Sequence, residues 1–458
     1  MWKPHKLSPR GPVYLAIADS LGQDLEAGRV RPGERLPTHR DLARTLGVNV
    51  VTITRAYAEA ARRGLVEGHV GRGTFVRALE PRPRTRAPAS AAASAVDLSQ
   101  NQLALDPSIL DVKSLVARLG ERLPAALMAG YQPAGQAEHR AAGASWLARC
   151  GLEVDAQEVL VTTGGQQALA AVFAGLARPG DTVLVEELTY SGIKSLAALF
   201  HLRLYPVALD EQGLVPESLE EACRRGNARF LYCMPNLHNP TGVVLSAERR
   251  ARIAELCERY DMLVVEDDAS GFLLEDPPPP LASFAPGRSI FVSSLSKSLS
   301  PGLRVGYLAA PEPHLERLLQ TQAALTWMTP ALTAEIASQI IRDGRLERIV
   351  TAKRAEVRRR RASFARHLGH LPTSSHPDSP CVWATLPEPW RGEEFAAAAE
   401  RVGVLVSAAE TFVVSRAHTP HAVRLCLGTP AARADVDTAL TRLARILEGV
   451  PTPIRALV

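Results

Sequence analysis

Apolar positions along this chain change their spacing near residue 95 and again near residue 320. Between residues 11 and 77 they recur three and four apart. VYLAIADSLGQDLEAG, THRDLARTLG and VNVVTITRAYAEAARRG each place them on one helical face and stop at a glycine, Gly28, Gly47 and Gly64. RVRPGERLP reads as a turn, and LVEGHVGRGTFV as two short strands around a glycine-rich tip. From Leu79 to Ala95 the pattern dissolves into Pro, Ala, Ser and Arg, which predicts a flexible linker. Beyond it, strand-like runs (EVLVTT, DTVLVE, LRLYPVAL, ARFLYCMP, MLVVEDD, SIFVSS, VGYLAAP) alternate with helical stretches. Such alternation predicts an α/β fold, a mainly parallel sheet with helices on both faces. From about Gln320 a long helical stretch leads to short strands around CVWATL and HAVRLCLG, consistent with a smaller α+β domain. The expected division is 1–78, a linker over 79–95, and a body over 96–458. Within the body, a large domain spans about 125–320 and a small one about 321–458 with 96–124.

Composition sharpens this picture. At 458 residues the chain exceeds one typical domain, and 46% apolar content suffices for a large core. The net charge of +5 hides an asymmetry: residues 1–86 carry 16 Lys and Arg against 8 Asp and Glu, the rest 37 against 40. A basic front on a slightly acidic body points to an anionic partner for the front alone. No apolar run reaches membrane-span length, and MWKPHKLSPRG lacks the apolar core of a signal peptide. The six cysteines are scattered without metal spacing and read as reduced, mostly buried thiols of a cytoplasmic protein; no metal site is expected. The RRRR run at 358–361 reads as a solvated helix face.

Two helices joined by a tight glycine turn, with a basic-tipped hairpin after them, form the pattern of a winged helix-turn-helix. The second helix would enter the major groove of double-stranded DNA by its N-terminal end. There Asn49, Val51, Thr52 and Thr54 are short enough to meet bases and phosphates. Arg40, and Arg72 at the wing tip, are placed for phosphate or the adjacent minor groove. GERLPTHRDLARTLGV and GLVEGHVGRGTFV, in that order, resemble the DNA-binding domain of the GntR family of bacterial repressors over nearly all of residues 11–77.

Chemistry in the body converges on FVSSLSKSLSPGLRVGY, residues 291–307. Lys297 stands among small hydroxyl residues at a strand mouth, where partial burial lowers an amine's pKa and suits it to a Schiff base. Ser294 and Arg304 could hold a phosphate, the arginine through its planar fork. Alone, the stretch is either a pyridoxal 5'-phosphate (PLP) seat or a loop with a solvated lysine. Four other strand ends supply what such a seat needs. After EVLVTT, GGQQAL offers the amides of Gly165 and Gln166 at a helix start. Tyr190 follows DTVLVEE and could stack on a pyridine ring. Asn239, in MPNLHNPTG, could bond the ring's phenolic oxygen, and Asp267 after MLVVE would hold the ring nitrogen protonated.

With these motifs in order, the body resembles a fold-type I aminotransferase of the aspartate aminotransferase superfamily over roughly residues 96–450. Joined to its front domain, the whole resembles the MocR-type regulators. The resemblance implies a homodimer with its site at the subunit interface. Tyr131, in AGYQPAGQAEHR, would then reach the neighbouring subunit's phosphate, though ordinary core packing fits it equally. Arg424, in HAVRLCLG, would bind the carboxylate of a substrate or effector. Two departures stand out. Relatives follow the ring aspartate with a tyrosine, where this chain has Ala269 and then Ser270 beside the cofactor. SAAETF (407–412) replaces a frequent Pro-Gly turn, so the pocket is expected to be reshaped. The expected function is a PLP-binding transcriptional regulator that senses PLP or an amino compound through a Lys297 Schiff base. The alternative is an active aminotransferase with a fused DNA-binding domain.

Overall fold

A computed structural model describes residues 2–5, 12–26, 28–69, 72–77, 95–104, 130–415 and 419–449. The linker expected at 79–95 lies outside the described residues except for Ala95, as do residues 105–129 of the small domain's expected N-terminal share. The described residues fall into two compact units, one within 1–87 with 413–420, the other within 88–412 with 421–458. Among them, no helix is long and apolar enough to cross a membrane.

In the first unit, helices span Val13–Glu26, His39–Leu46 and Val50–Arg62, and an antiparallel hairpin pairs Val66–His69 with Gly73–Val76. Thr38 caps the second helix by accepting a bond from the Asp41 N–H, and Gly47 ends it at φ 66°, where a side chain would be strained. Asn49 caps the third helix by accepting from the Val51 N–H at 2.8 Å. Ile17, Leu21, Leu42, Ile53 and Ala56 are nearly fully buried among them and fix the angle between the helices.

The second unit is built on a seven-stranded sheet. Its order is Val159–Thr162, Gly306–Ala309, Ser289–Ser294, Leu263–Asp268, Ala228–Cys233, Thr182–Glu186, Arg203–Val207. Gly306–Ala309 runs antiparallel to both neighbours, and the other recorded pairings are parallel. The C-terminal ends of the six parallel strands and the N-terminal end of the antiparallel one therefore share an edge, where ligands of such sheets gather.

A three-stranded antiparallel sheet, Cys381–Thr385, Ala422–Cys426 and Ser407–Ala408, carries a second core. Val96–Asp97 pairs with Val404–Leu405 in a separate two-stranded sheet, and Leu98 and Val404 enter the same core, so residues far apart in sequence close one domain. Periodicity alone puts the change of domain near residue 320. The cores instead divide along the 24-residue helix Arg345–Leu368: Leu346, Ile349, Val350 and Val357 pack with the large sheet, Phe364 and Leu368 with the small one. The preceding helix Ala331–Arg342 also belongs to the large core, through Ala334, Ala337 and Ile340. The arginine run on the long helix is not a uniformly solvated face. Arg360 is buried, paired with Glu356 at 2.8 Å and donating to the carbonyls of Leu427 and Pro430. Helical spacing turns one of four consecutive arginines inward, where its Nε meets Glu356 and its two Nη groups meet the carbonyls of Leu427, Pro430 and Ala431.

Candidate functional site

At the shared edge, five strand ends present the groups the sequence singled out. Ser289–Ser294 runs into the short helix Leu295–Ser298, which carries Lys297. Lys297 is half-buried, and its ammonium donates to Ser270 Oγ at 3.5 Å. Burial pushes this amine below its ordinary value, against the pull of Asp267, which is the direction nucleophilic chemistry requires. A second lysine steadies the turn. Buried Lys353, on the long helix, donates to the carbonyls of Lys297 at 2.7 Å and Leu299 at 3.2 Å. Burial lowers Lys353 to about 8.

Asp267 stands one residue before the end of its strand and accepts a bond from the Tyr232 hydroxyl at 2.8 Å. The two lie on one face of the sheet, because Tyr232 is registered with Val265 and Asp267 follows two residues on. Burial raises Asp267, while the Tyr232 hydrogen bond and Lys297 counter it. Tyr232 is fully buried and was not singled out in the sequence, since an aromatic inside ARFLYC looks like any strand core residue.

An anion seat lies beside this pair. Gly164, at φ 83°, opens the helix Gly165–Leu176, whose first amides, Gly165 and Gln166, have no intrahelical acceptor. Arg304, also in the left-handed region at φ 51°, donates to the Thr163 carbonyl at 3.1 Å and to Ser296 Oγ at 3.3 Å. Ser296 Oγ in turn accepts from Ser294 Oγ at 3.0 Å, which brings a serine not anticipated from the sequence into the group. A Cβ on Gly164 would lie 2.5 Å from Arg304 Nη2, so the glycine is what lets the guanidinium close over the helix start. Gly164→Ala is therefore expected to displace Arg304 and weaken phosphate-dependent cofactor binding about tenfold or more, the scale of one charged hydrogen bond. An absorbance titration with PLP measures this.

Tyr190 caps the helix Ser191–Leu199 and is half-buried, its hydroxyl raised by burial and then by Asp267. Gln166 donates to the Gly192 carbonyl at 3.3 Å, leaving its buried Oε1 without a partner among the described residues. Asn239 Oδ1 accepts from Arg424 Nη1 at 2.6 Å, so Asn239 is tied to the arginine from the other core. Arg424 also donates to the Ser99 carbonyl and to Ser407 Oγ at 3.3 Å, and lies 4.6 Å from the centre of the Phe412 ring. The SAAETF stretch thus supplies both a polar and an aromatic wall. Arg424 is buried, pairs with no carboxylate among the described residues, and keeps an unbonded Nε. A buried guanidinium without a counter-charge is a ready carboxylate site.

Tyr131 is not brought to this cluster by any described contact. It is 72% exposed, which removes the core-packing reading, and its ring lies 5.2 Å from that of Trp327. In the front unit Arg40, Asn49, Val51, Thr54 and Arg72 are exposed, and Thr52 is half-buried. Thr54 Oγ1 donates to the Val50 carbonyl, and the exposed methyls of Val51 lead the helix start.

Residues 93–443 match the family Aminotransferase class I and II, and residues 13–76 match Bacterial regulatory proteins, gntR family. The chain belongs to the class I and II aminotransferase family and carries a gntR-type helix-turn-helix ahead of that domain; it is a DNA-binding transcription regulator whose cofactor is PLP. Similar proteins run its full length. The Uncharacterized HTH-type transcriptional regulator YdeF of Bacillus subtilis (strain 168) is 32% identical, over 98% of this chain and 97% of its own. The Vitamin B6 salvage pathway transcriptional repressor PtsJ of Salmonella typhimurium is 30% identical, over 92% and 95%. Among solved structures, an archaeal alanine:glyoxylate aminotransferase superposes with TM-score 0.71 at 26% identity, covering 77% of this chain and 91% of that one. LysN, an alpha-aminoadipate aminotransferase from Thermus thermophilus, gives 0.69 at 28%, covering 78% and 92%; its structure holds N-(5'-phosphopyridoxyl)-L-leucine.

The residues present fit PLP. The glycine-permitted approach of Arg304 to a helix start suits a phosphate, and buried Asp267 suits a pyridine nitrogen. Lys297 is a half-buried amine whose charge is felt at Asp267. When bound, PLP supplies an electrophilic aldehyde carbon conjugated to an electron-withdrawing ring.

Proposed function

We propose that this chain is a cytoplasmic, homodimeric MocR-type regulator whose body senses PLP or an amino compound and passes that state to its DNA-binding unit. With PLP bound, Lys297 would be the amine that meets its aldehyde carbon. Asp267 would steady the ring nitrogen; Ser294, Ser296, Arg304 and the Gly165 and Gln166 amides would take the phosphate; Tyr190 would stack on the ring and Asn239 would bond its phenolic oxygen. Tyr131 reaches the second subunit's phosphate. Arg424 would hold the carboxylate of an amino-acid effector whose amino group competes with Lys297 for the cofactor.

The observation that carries this reading is the hydrogen bond from Arg424 to Asn239. Arg424 belongs to the small sheet and Asn239 to the loop after a large-sheet strand. A carboxylate at Arg424 competes for that bond and so biases how the two cores sit, which is the differential contact that coupling requires. The PtsJ name, a vitamin B6 salvage repressor, supports PLP itself as one signal. Ser270 supports sensing over rapid turnover, because it leaves Lys297 beside an aliphatic hydroxyl in place of a phenol.

On DNA, a dimer is expected to select two half-sites with steep salt dependence. Selection of bound fragments from a random pool, followed by salt titration, tests this. Arg40→Ala should lower the salt slope by about 0.9 and weaken all sequences alike. Binding to a single unsymmetrical site, insensitive to salt, would contradict the reading.

A further inference from the structure

Two cysteines face each other beside the Arg424 site. Cys381 and Cys426 are directly opposite on antiparallel strands, and their sulfurs are 3.0 Å apart. Neither backbone amide bonds across this pair. The Cys381 N–H goes to Ser379 Oγ and the Cys426 N–H to the Leu98 carbonyl, while the Leu427 N–H donates to Pro380 one step along. The pair is therefore of the non-hydrogen-bonded kind, with Cα atoms about 4.5 Å apart and side chains at their closest. That separation lies within the range a disulfide spans.

The pair's place in the fold ties it to the site. Cys426 follows Arg424 by two residues and so lies on the same face of its strand. Trp383, two residues after Cys381, is registered with Arg424 itself. Burial raises both thiols. For Cys381 the hydrogen bond with Cys426 and the positive charges of Arg424, Lys297 and Arg361 prevail, and its thiol falls below the ordinary value; Cys426 stays well above. Cys381 keeps a sliver of exposure, 5%, and Cys426 has none, so attack on an incoming oxidant falls to Cys381 and resolution to Cys426. The other four thiols are buried elsewhere, Cys150 beside Ser293 and Cys223 beside Met262 among them.

We propose that Cys381 and Cys426 are a reversible dithiol–disulfide modification site, oxidised by a hydroperoxide, that changes carboxylate binding at Arg424. Cys381 sulfur attacks the peroxide oxygen, the O–O bond breaks, and an alcohol or water leaves, giving a sulfenic acid. Cys426 then attacks that sulfur and expels water. Two thiols and one hydroperoxide yield one disulfide, one alcohol (or water) and one water. The bridge draws the two strands together next to the guanidinium and fixes its position against Asn239. The coupling part rests on the sensor reading above; the chemistry does not.

The test treats full-length, PLP-loaded protein with a small excess of hydrogen peroxide, blocks free thiols under denaturing conditions and maps the peptides. The expected result is a 381–426 cross-link, four alkylated cysteines and full reversal by dithiothreitol, with no cross-link in Cys381→Ser or Cys426→Ser. Six alkylated cysteines, or a cross-link elsewhere, would overturn the site. In parallel, L-alanine is titrated against the visible absorbance of bound PLP before and after oxidation. A shifted affinity in wild type and an unshifted one in Cys381→Ser supports the coupling, and equal affinities in oxidised and reduced wild type overturn it. If the reduced protein gives no response to any α-amino acid, the sensor reading fails, and the cross-link alone decides the modification site.

Discussion

Replacing Lys297 with alanine is expected to abolish the visible absorbance of the purified protein and every amine-dependent change in its DNA binding. The front unit should still bind DNA. Lys297 is the half-buried amine at the meeting point of Asp267, Ser270 and the strand end at Ser294, and no described neighbour offers a replacement. Lys353 is the nearest alternative, and it is committed to the carbonyls of Lys297 and Leu299. The substitution also removes a positive charge beside Asp267, so that carboxyl should rise further, as the loss of an opposing charge demands. Helices Val13–Glu26, His39–Leu46 and Val50–Arg62 keep their own core, so circular dichroism and basal DNA affinity separate loss of signal from loss of fold. Absorbance that persists in this variant would mean that another amine holds the cofactor.

Arg424→Ala is expected to leave PLP binding nearly intact and to weaken the response to α-amino acids by about thirtyfold or more. Losing one partner of a buried, hydrogen-bonded charge pair costs roughly 2–5 kcal/mol, and about 1.4 kcal/mol is tenfold. Arg424→Lys should recover only part of this, because an ammonium cannot bridge Asn239 and Ser99 while also meeting a carboxylate. Titration of each variant with PLP and then with amino acids separates the two effects. Equal losses of PLP and amino-acid binding would place Arg424 in the cofactor seat.

Much of this arrangement is legible in the sequence, for a physical reason. Functional groups on an α/β sheet sit at strand ends, and strand ends are marked by a change from apolar runs to Gly, Ser, Asn and Asp. Lys297, Asp267, Asn239 and Arg304 all stand at such changes. The helix stops at Gly47 and Gly64 were readable in the same way. What hid were residues whose role depends on a partner far along the chain. Tyr232 reaches Asp267 across 35 residues and Lys353 reaches Lys297 across 56. Their types are ordinary for their elements, so no local pattern betrays them. The arginine run misled for a related reason. Composition marks it as surface, and only the docking of the small domain gives Arg360 its buried carbonyl partners. The Cys381–Cys426 pairing is likewise a matter of strand register, invisible at a sequence separation of 45.

The central claim is that the cofactor site governs the DNA-binding unit. The most direct measurement is the affinity of the full-length protein for its selected DNA, taken without PLP, with PLP, and with PLP plus a saturating α-amino acid. The account predicts that affinity changes between these states by roughly 5–150-fold, the usual span of coupling between two sites, and that Lys297→Ala shows no change. Identical DNA affinity in all three states of the wild type would contradict it.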